Sequence, residues 1–83
     1  MRLLYFAWLR ERLNIGEEEV SPPPEVKTIA DLLDWLAVRD EAAALAFEKR
    51  GIIRAAIDAR IVGHDAPIAG AKVVALFPPM TGG

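Results

Sequence analysis

The sequence predicts an α+β domain in which one main helix crosses one face of a mixed sheet. Two β-prone and almost wholly apolar runs, RLLYFA at residues 2–7 and KVVALF at 72–77, lie near opposite ends of the chain. Between them Ile29, Leu32, Leu33, Leu36 and Ala37 fall at i, i+3, i+4, i+7 and i+8, the spacing of a helix with one buried stripe. Eighty-three residues suffice for one domain, which buries about 60 to 65% of the surface that its unfolded chain exposes. That domain is expected over residues 1–77, with 78–83 as a flexible C-terminal tail.

In chain order, RLLYFA is the first strand. WLRERL follows, with Leu9 and Leu13 four apart among charges, and predicts a short helix of about two turns that Gly16 stops. Glu17 to Val20 forms a second strand, so the first two strands make a hairpin with a long corner. Pro22 to Pro24 is a stiff connector. Thr28 with Asp31 three residues later resembles a capping box, which places the start of the main helix. Asp40 caps a further turn or two through EAAALAFEK, closed by Lys49, Arg50 and Gly51. Ile52 onward changes period: IIRAAI and ARIV read as short strands about a turn at Asp58, and GHDAPIAGA is a loop. KVVALF is the last strand. Strand, strand, helix and then two or three strands, with the first and last strands central, is the β-grasp or ubiquitin-like arrangement.

Composition narrows the function. A content of 53% hydrophobic and 27% charged residues is that of a folded globular chain, which sets disorder aside for the body of the domain. No apolar run approaches the ~20 residues that cross a bilayer, and MRLLYFAWLRERL has internal charges and no small-residue cleavage site, so the expected location is the cytoplasm, with no membrane partner. A net charge of −2 with ten scattered basic residues makes no stripe for nucleic acid. There is no cysteine, which removes disulfides and thiolate chemistry. His64 is the single histidine and sits in a Gly63, His64, Asp65 turn, so no metal site is expected.

Strand alternation places Leu3 and Tyr5 on one face of the first strand and Arg2, Leu4 and Phe6 on the other; Val74 and Leu76 oppose Val73, Ala75 and Phe77. Both faces are apolar, yet one helix covers only one of them. The uncovered face, with Phe6, Phe77 and Ile61, is expected to bind a protein partner. FPPMTGG then leaves the sheet. Pro78 and Pro79 lack a backbone N–H and end strand pairing, Met80 and Thr81 are spacer that can contact a channel, and Gly82 and Gly83 form a narrow tip. Six residues at about 3.3 Å each reach roughly 20 Å. The reactive group at such a tip is the Gly83 α-carboxylate, which adenylation would activate. The chain has no GxxxxGK[ST] loop for ATP, so an external enzyme must act.

YFAWLRER, with Ala7, Arg10 and Glu11 in an A-x-x-R-E spacing, and a closing strand that runs into FPPMTGG resemble the molybdopterin synthase small-subunit family, the MoaD-type sulfur carriers. The resemblance spans the full length. It implies a β-grasp fold, adenylation of Gly83 by a partner activating enzyme that uses ATP, and conversion of Gly83 to a thiocarboxylate. It further implies that the chain is no enzyme alone and binds no cofactor. The large synthase subunit, in a heterotetramer, would take the tail into its own active site, where sulfur passes to cyclic pyranopterin monophosphate and builds the dithiolene. Partner contacts would come from Phe6, Ile61, Phe77, Pro78, Pro79, Met80 and Thr81. The alternatives are a carrier of the same fold for thiamine or tRNA thiolation, and a ubiquitin-like modifier of lysines. The prolines before the glycines and the A-x-x-R-E segment favour the molybdopterin assignment.

Overall fold

A computed structural model describes residues 1–79. Its elements are β1 (Arg2–Tyr5), α1 (Ala7–Leu13), β2 (Glu17–Glu19), α2 (Ile29–Ala37), α3 (Glu41–Ala46), β3 (Arg54–Ile57), β4 (Arg60–Val62) and β5 (Val73–Phe77). The sheet runs β2-β1-β5-β3-β4. β1 and β5 pair in parallel, with Arg2 opposite Val73 and Tyr5 opposite Leu76; the remaining pairs are antiparallel. The two apolar strands are therefore adjacent, and β5 is the middle strand.

Pleating turns Leu3, Tyr5, Val74, Leu76 and Ala55 to one side, where all five are buried. Ile29, Leu32, Leu33 and Leu36 of α2 meet them with no exposed surface. The start of α2 is fixed as expected: Asp31 N donates to Thr28 Oγ1 at 3.2 Å, and Thr28 N donates to Asp31 Oδ2 at 3.2 Å. Two orphan amides of the first turn are thereby satisfied.

The helical layer is wider than the single main helix expected. Leu9 of α1, and Ala43 and Ala46 of α3 with Phe47 just beyond it, enter the same core as α2. Asp40 caps α3 by accepting from Ala43 N at 2.8 Å. Three boundaries differ from the sequence reading. Asn14, in the left-handed region at φ 57°, ends α1 in place of Gly16, because a short polar side chain tolerates that conformation. α3 ends at Ala46, and Arg50 reaches back so that its Nε donates to the Phe47 carbonyl while its guanidinium pairs with Asp34. Arg50–Ile52 forms a 3-10 turn, so β3 begins only at Arg54; Ile52 is left 40% exposed and Ile53 takes the core position.

Two polar devices hold the edges. Glu18 of β2 faces the core side opposite Leu3, where it accepts a hydrogen bond from the Tyr5 hydroxyl at 2.5 Å and two from Arg39 at 2.9 Å each. The edge strand is thereby tied to β1 and to the residues after α2. Donation by Arg39, assisted by Tyr5, holds the Glu18 carboxyl below its ordinary value of 4.5. Burial, reinforced by the bond to Glu18, pushes the Tyr5 hydroxyl above its ordinary value of 10.0. At the β3–β4 turn, Asp58 and Ala59 both have positive φ, 47° and 73°, as a tight two-residue hairpin with a right-handed twist requires. The Asp58 carboxylate also accepts from Lys72 N and Val73 N at 3.1 and 2.9 Å, which joins this turn to the start of β5.

The Glu18 cluster gives stability a defined pH dependence. Glu18 titrates lower folded than unfolded, so its contribution is complete above pH 4.5 and is lost as pH falls through the folded value. Tyr5 titrates higher when folded, so its contribution is complete below pH 10.0 and is lost as pH rises beyond it. Denaturant titrations of Glu18→Gln should show a loss of about 1 to 2 kcal/mol at neutral pH and a shallower acid slope than the parent. Ala59→Gly should raise stability by up to about 1 kcal/mol in the same assay, because glycine relieves a left-handed alanine on an exposed turn.

Candidate functional site

The face away from the helices carries Arg2 and Leu4 of β1, Val73, Ala75 and Phe77 of β5, Arg54 and Ala56 of β3, and Ile61 of β4. One row crosses the sheet: Leu4 lies opposite Ala75, Ala75 opposite Ala56, and Ala56 opposite Ile61. The two alanines leave a low floor between larger side chains. Ile61 is 78% exposed at the edge, so the row ends in a projecting aliphatic group. The next row sets Phe77 opposite Arg54.

Phe6 lies outside β1 but continues its register, since Phe6 N donates to the Leu76 carbonyl at 3.2 Å. Immediately afterwards Ala7 has φ 54°, a left-handed conformation that an alanine adopts only under local strain. The chain thus turns sharply from strand to helix and delivers Trp8 beside Phe6. The result is a cleft of about 810 Å³ lined by Phe6, Ala7, Trp8, Ile52, Ala75, Phe77, Pro78 and Pro79. Phe6 is 46% exposed on its rim. Every lining side chain is uncharged, so the cleft offers desolvation energy and shape in place of ion pairing.

Phe6, Phe77, Pro78 and Pro79 are brought together in this cleft, at the point where the chain leaves β5. Ile61 shares the face but sits two strands from β5 and does not line the cleft. Met80, Thr81, Gly82 and Gly83 lie outside the described residues. Trp8 and Ile52 are lining residues that sequence reasoning missed. The sequence pattern puts Trp8 in a charged helix and Ile52 in a strand, and neither periodicity encodes the sharp turn at Ala7 or the 3-10 turn that expose them. The pair of aromatics two residues apart across a strand end was the available signal.

His64 occupies the turn expected of it, with Nε2 2.7 Å from the Ile53 carbonyl. Among the described residues no group of three histidine, cysteine or carboxylate side chains could hold a metal ion, and no helix is long and apolar enough to cross a membrane.

Comparison with known proteins gives a consistent picture. The profile of the ThiS family matches residues 3–83. The molybdopterin synthase sulfur carrier subunit of Escherichia coli K12 is 34% identical over 83 residues, which cover all of this chain and 99% of that one. The crystal structure of SAMP1 from Haloferax volcanii superposes with a TM-score of 0.72 at 26% identity, covering 100% of this chain and 98% of the other. A candidate molybdopterin converting factor subunit 1 from Pyrococcus furiosus shares the fold, with a TM-score of 0.64 at 24% identity over 95% of each chain.

The two sheet faces should respond differently to substitution. Ile61→Ser should shift thermal stability by no more than about 0.5 kcal/mol, whereas Leu76→Ala, in the covered face, should cost about 2 to 5 kcal/mol. A large loss from Ile61→Ser would mean that the face is covered within the isolated chain.

Proposed function

The chain belongs to the ThiS family, and from that premise we propose that it is the sulfur carrier of molybdopterin synthesis, the small subunit of molybdopterin synthase. The observation that carries this reading is the uncharged cleft at the root of a Gly-Gly ending, on the sheet face that the helices leave open. A protein whose reactive atom lies at the end of its own chain needs a surface that positions the chain's exit against a partner, and an uncharged cleft lined by Pro78 and Pro79 supports that reading. The full-length similarity to a sulfur carrier subunit supports the same assignment.

In the proposed cycle the Gly83 carboxylate attacks the α-phosphorus of ATP in an activating enzyme and releases pyrophosphate. A sulfur nucleophile then displaces AMP from the acyl-adenylate and leaves a thiocarboxylate. The domain next docks on the large subunit through Phe6, Phe77, Pro78 and Pro79, with Ile61 as an outlying contact and Met80 and Thr81 along the entry channel. The thiocarboxylate sulfur attacks a side-chain carbon of the pyranopterin precursor and displaces an oxygen substituent from it; water then cleaves the resulting thioester at its acyl carbon, which leaves the sulfur on the precursor and frees the Gly83 carboxylate for another round. Gly82 and Gly83 suit the channel because a Cβ there would widen the tip. The chain supplies the sulfur and the docking surface, while the large subunit supplies the acid–base groups.

Intact mass spectrometry after incubation with ATP, activating enzyme and a sulfur source should show the exchange of one oxygen for one sulfur, and a chain lacking Gly83 should show none. The thiocarboxylated protein with a molybdopterin synthase large subunit should then convert the precursor. Retention of full activity without Gly83 would reduce the chain to an interaction module, and failure to bind the large subunit would reassign it to another thiolation route.

A further inference from the structure

Beside the cleft at the tail root lies a second hollow of about 430 Å³, in the seam between α1 and α3, lined by Trp8, Arg12, Leu45, Ala46, Glu48, Lys49 and Ile52. Trp8 and Ile52 also line the first cleft, so the two hollows are adjacent and share a wall. Their chemistry differs. The first carries no charged side chain, whereas the second brings two cations and one carboxylate to an apolar floor in a protein whose net charge is −2. Leu45 is 61% exposed and Ile52 40% exposed, so the seam presents open apolar surface beside its charges.

Arg12 is held for use. Its guanidinium carbon lies 5.5 Å from the centre of the Trp8 ring, a contact that orients the group on the tryptophan face. A guanidinium placed over a ring keeps its N–H donors in its own plane, free to grip a carboxylate edge-on. Neither Arg12 nor Lys49 has an ion-pair partner among the described residues, although five other such pairs form. Glu48, the one carboxylate of the seam, pairs with neither cation.

We propose that the α1–α3 seam is a second docking subsite for the synthase large subunit, and that it takes a segment carrying an aspartate or glutamate next to an aliphatic or aromatic side chain. The apolar side chain rests against Leu45, Ala46 and Ile52, and the carboxylate is held between Arg12 and Lys49. Adjacency to the cleft at the tail root makes that partner the occupant: a protein that covers Phe6 and Phe77 also reaches Trp8 and Ile52, the residues the cleft shares with the seam. The subsite gives the partner a charged test of identity that the uncharged cleft lacks. This rests on the sulfur-carrier reading above.

The test compares two sets of variants for binding to the large subunit by titration calorimetry at several salt concentrations. Arg12→Glu/Lys49→Glu should bind at least about tenfold more weakly than the parent, with a shallower salt dependence, while its thermal unfolding and its thiocarboxylation by the activating enzyme stay unchanged. Leu45→Glu should weaken binding in the same assay through the apolar half of the subsite. Parent affinity in both variants overturns the proposal, as does a loss confined to the activating enzyme, which would make that enzyme the occupant. The parent chain and Phe77→Ser separate this from the sulfur-carrier reading: a parent chain with no affinity for the large subunit sinks that reading, whereas a parent that binds, with affinity lost in Phe77→Ser and kept in both seam variants, removes only the seam.

Discussion

The parallel pairing of β1 with β5 is the constraint on which the other features depend. With Leu3 beside Val74 and Tyr5 beside Leu76, the pleat sends the largest side chains of both strands into the helical layer. It sends Leu4, Ala75 and Phe77 the opposite way with equal necessity, because side-chain direction in a strand has a period of two. A sheet of five strands with its main helices on one side then has an apolar second face that, among the described residues, only Trp8 and its neighbours overlap at one end. The open apolar face is thus a by-product of making the two central strands apolar on both sides, and it needs no special loop.

The same register explains where the charges go. On the open face Leu4 stands opposite Glu17 and Arg2 opposite Glu19, so the β2 edge of the face is polar and its acids are neutralised by Arg2 at 3.1 and 3.8 Å. Glu18 alone of the three points inward, and only there does a carboxylate need both a hydroxyl and a guanidinium. Three consecutive glutamates therefore do two different jobs, solvation of an exposed edge and closure of the core beneath it. Charged edges of this kind also discourage further strands from adding to the sheet.

Much of this was legible in the residues. The main helix was bounded correctly because Thr28 and Asp31 announce its start and the leucine spacing continues to Ala37; the central strands were plain from their apolar runs. The errors concentrate where short-range signals conflict with tertiary packing. IIRAAI reads as one strand, yet Ile53 must reach the core while Gly51 and Ile52 turn, so the strand loses its first residues. Phe47 is fully buried although it follows a six-residue helix too short to show a stripe. Of the site, Phe6, Phe77 and the prolines were legible as an apolar end to an apolar sheet. Trp8 and Ile52 were not, because their placement comes from a left-handed alanine and a 3-10 turn that no periodic pattern reports.

The position of β5 has a mechanical consequence. Pro78 and Pro79 follow directly from the middle strand, which has hydrogen-bonded neighbours on both sides, parallel β1 and antiparallel β3. Tension applied along the tail, as when a partner draws it into a narrow passage, runs along the strand axis and loads both ladders in shear, so many bonds share the strain at once. An edge strand under the same pull could peel away one bond at a time. The domain can therefore be anchored by its end and still hold its shape, as a tool keeps its form when gripped by a central rib.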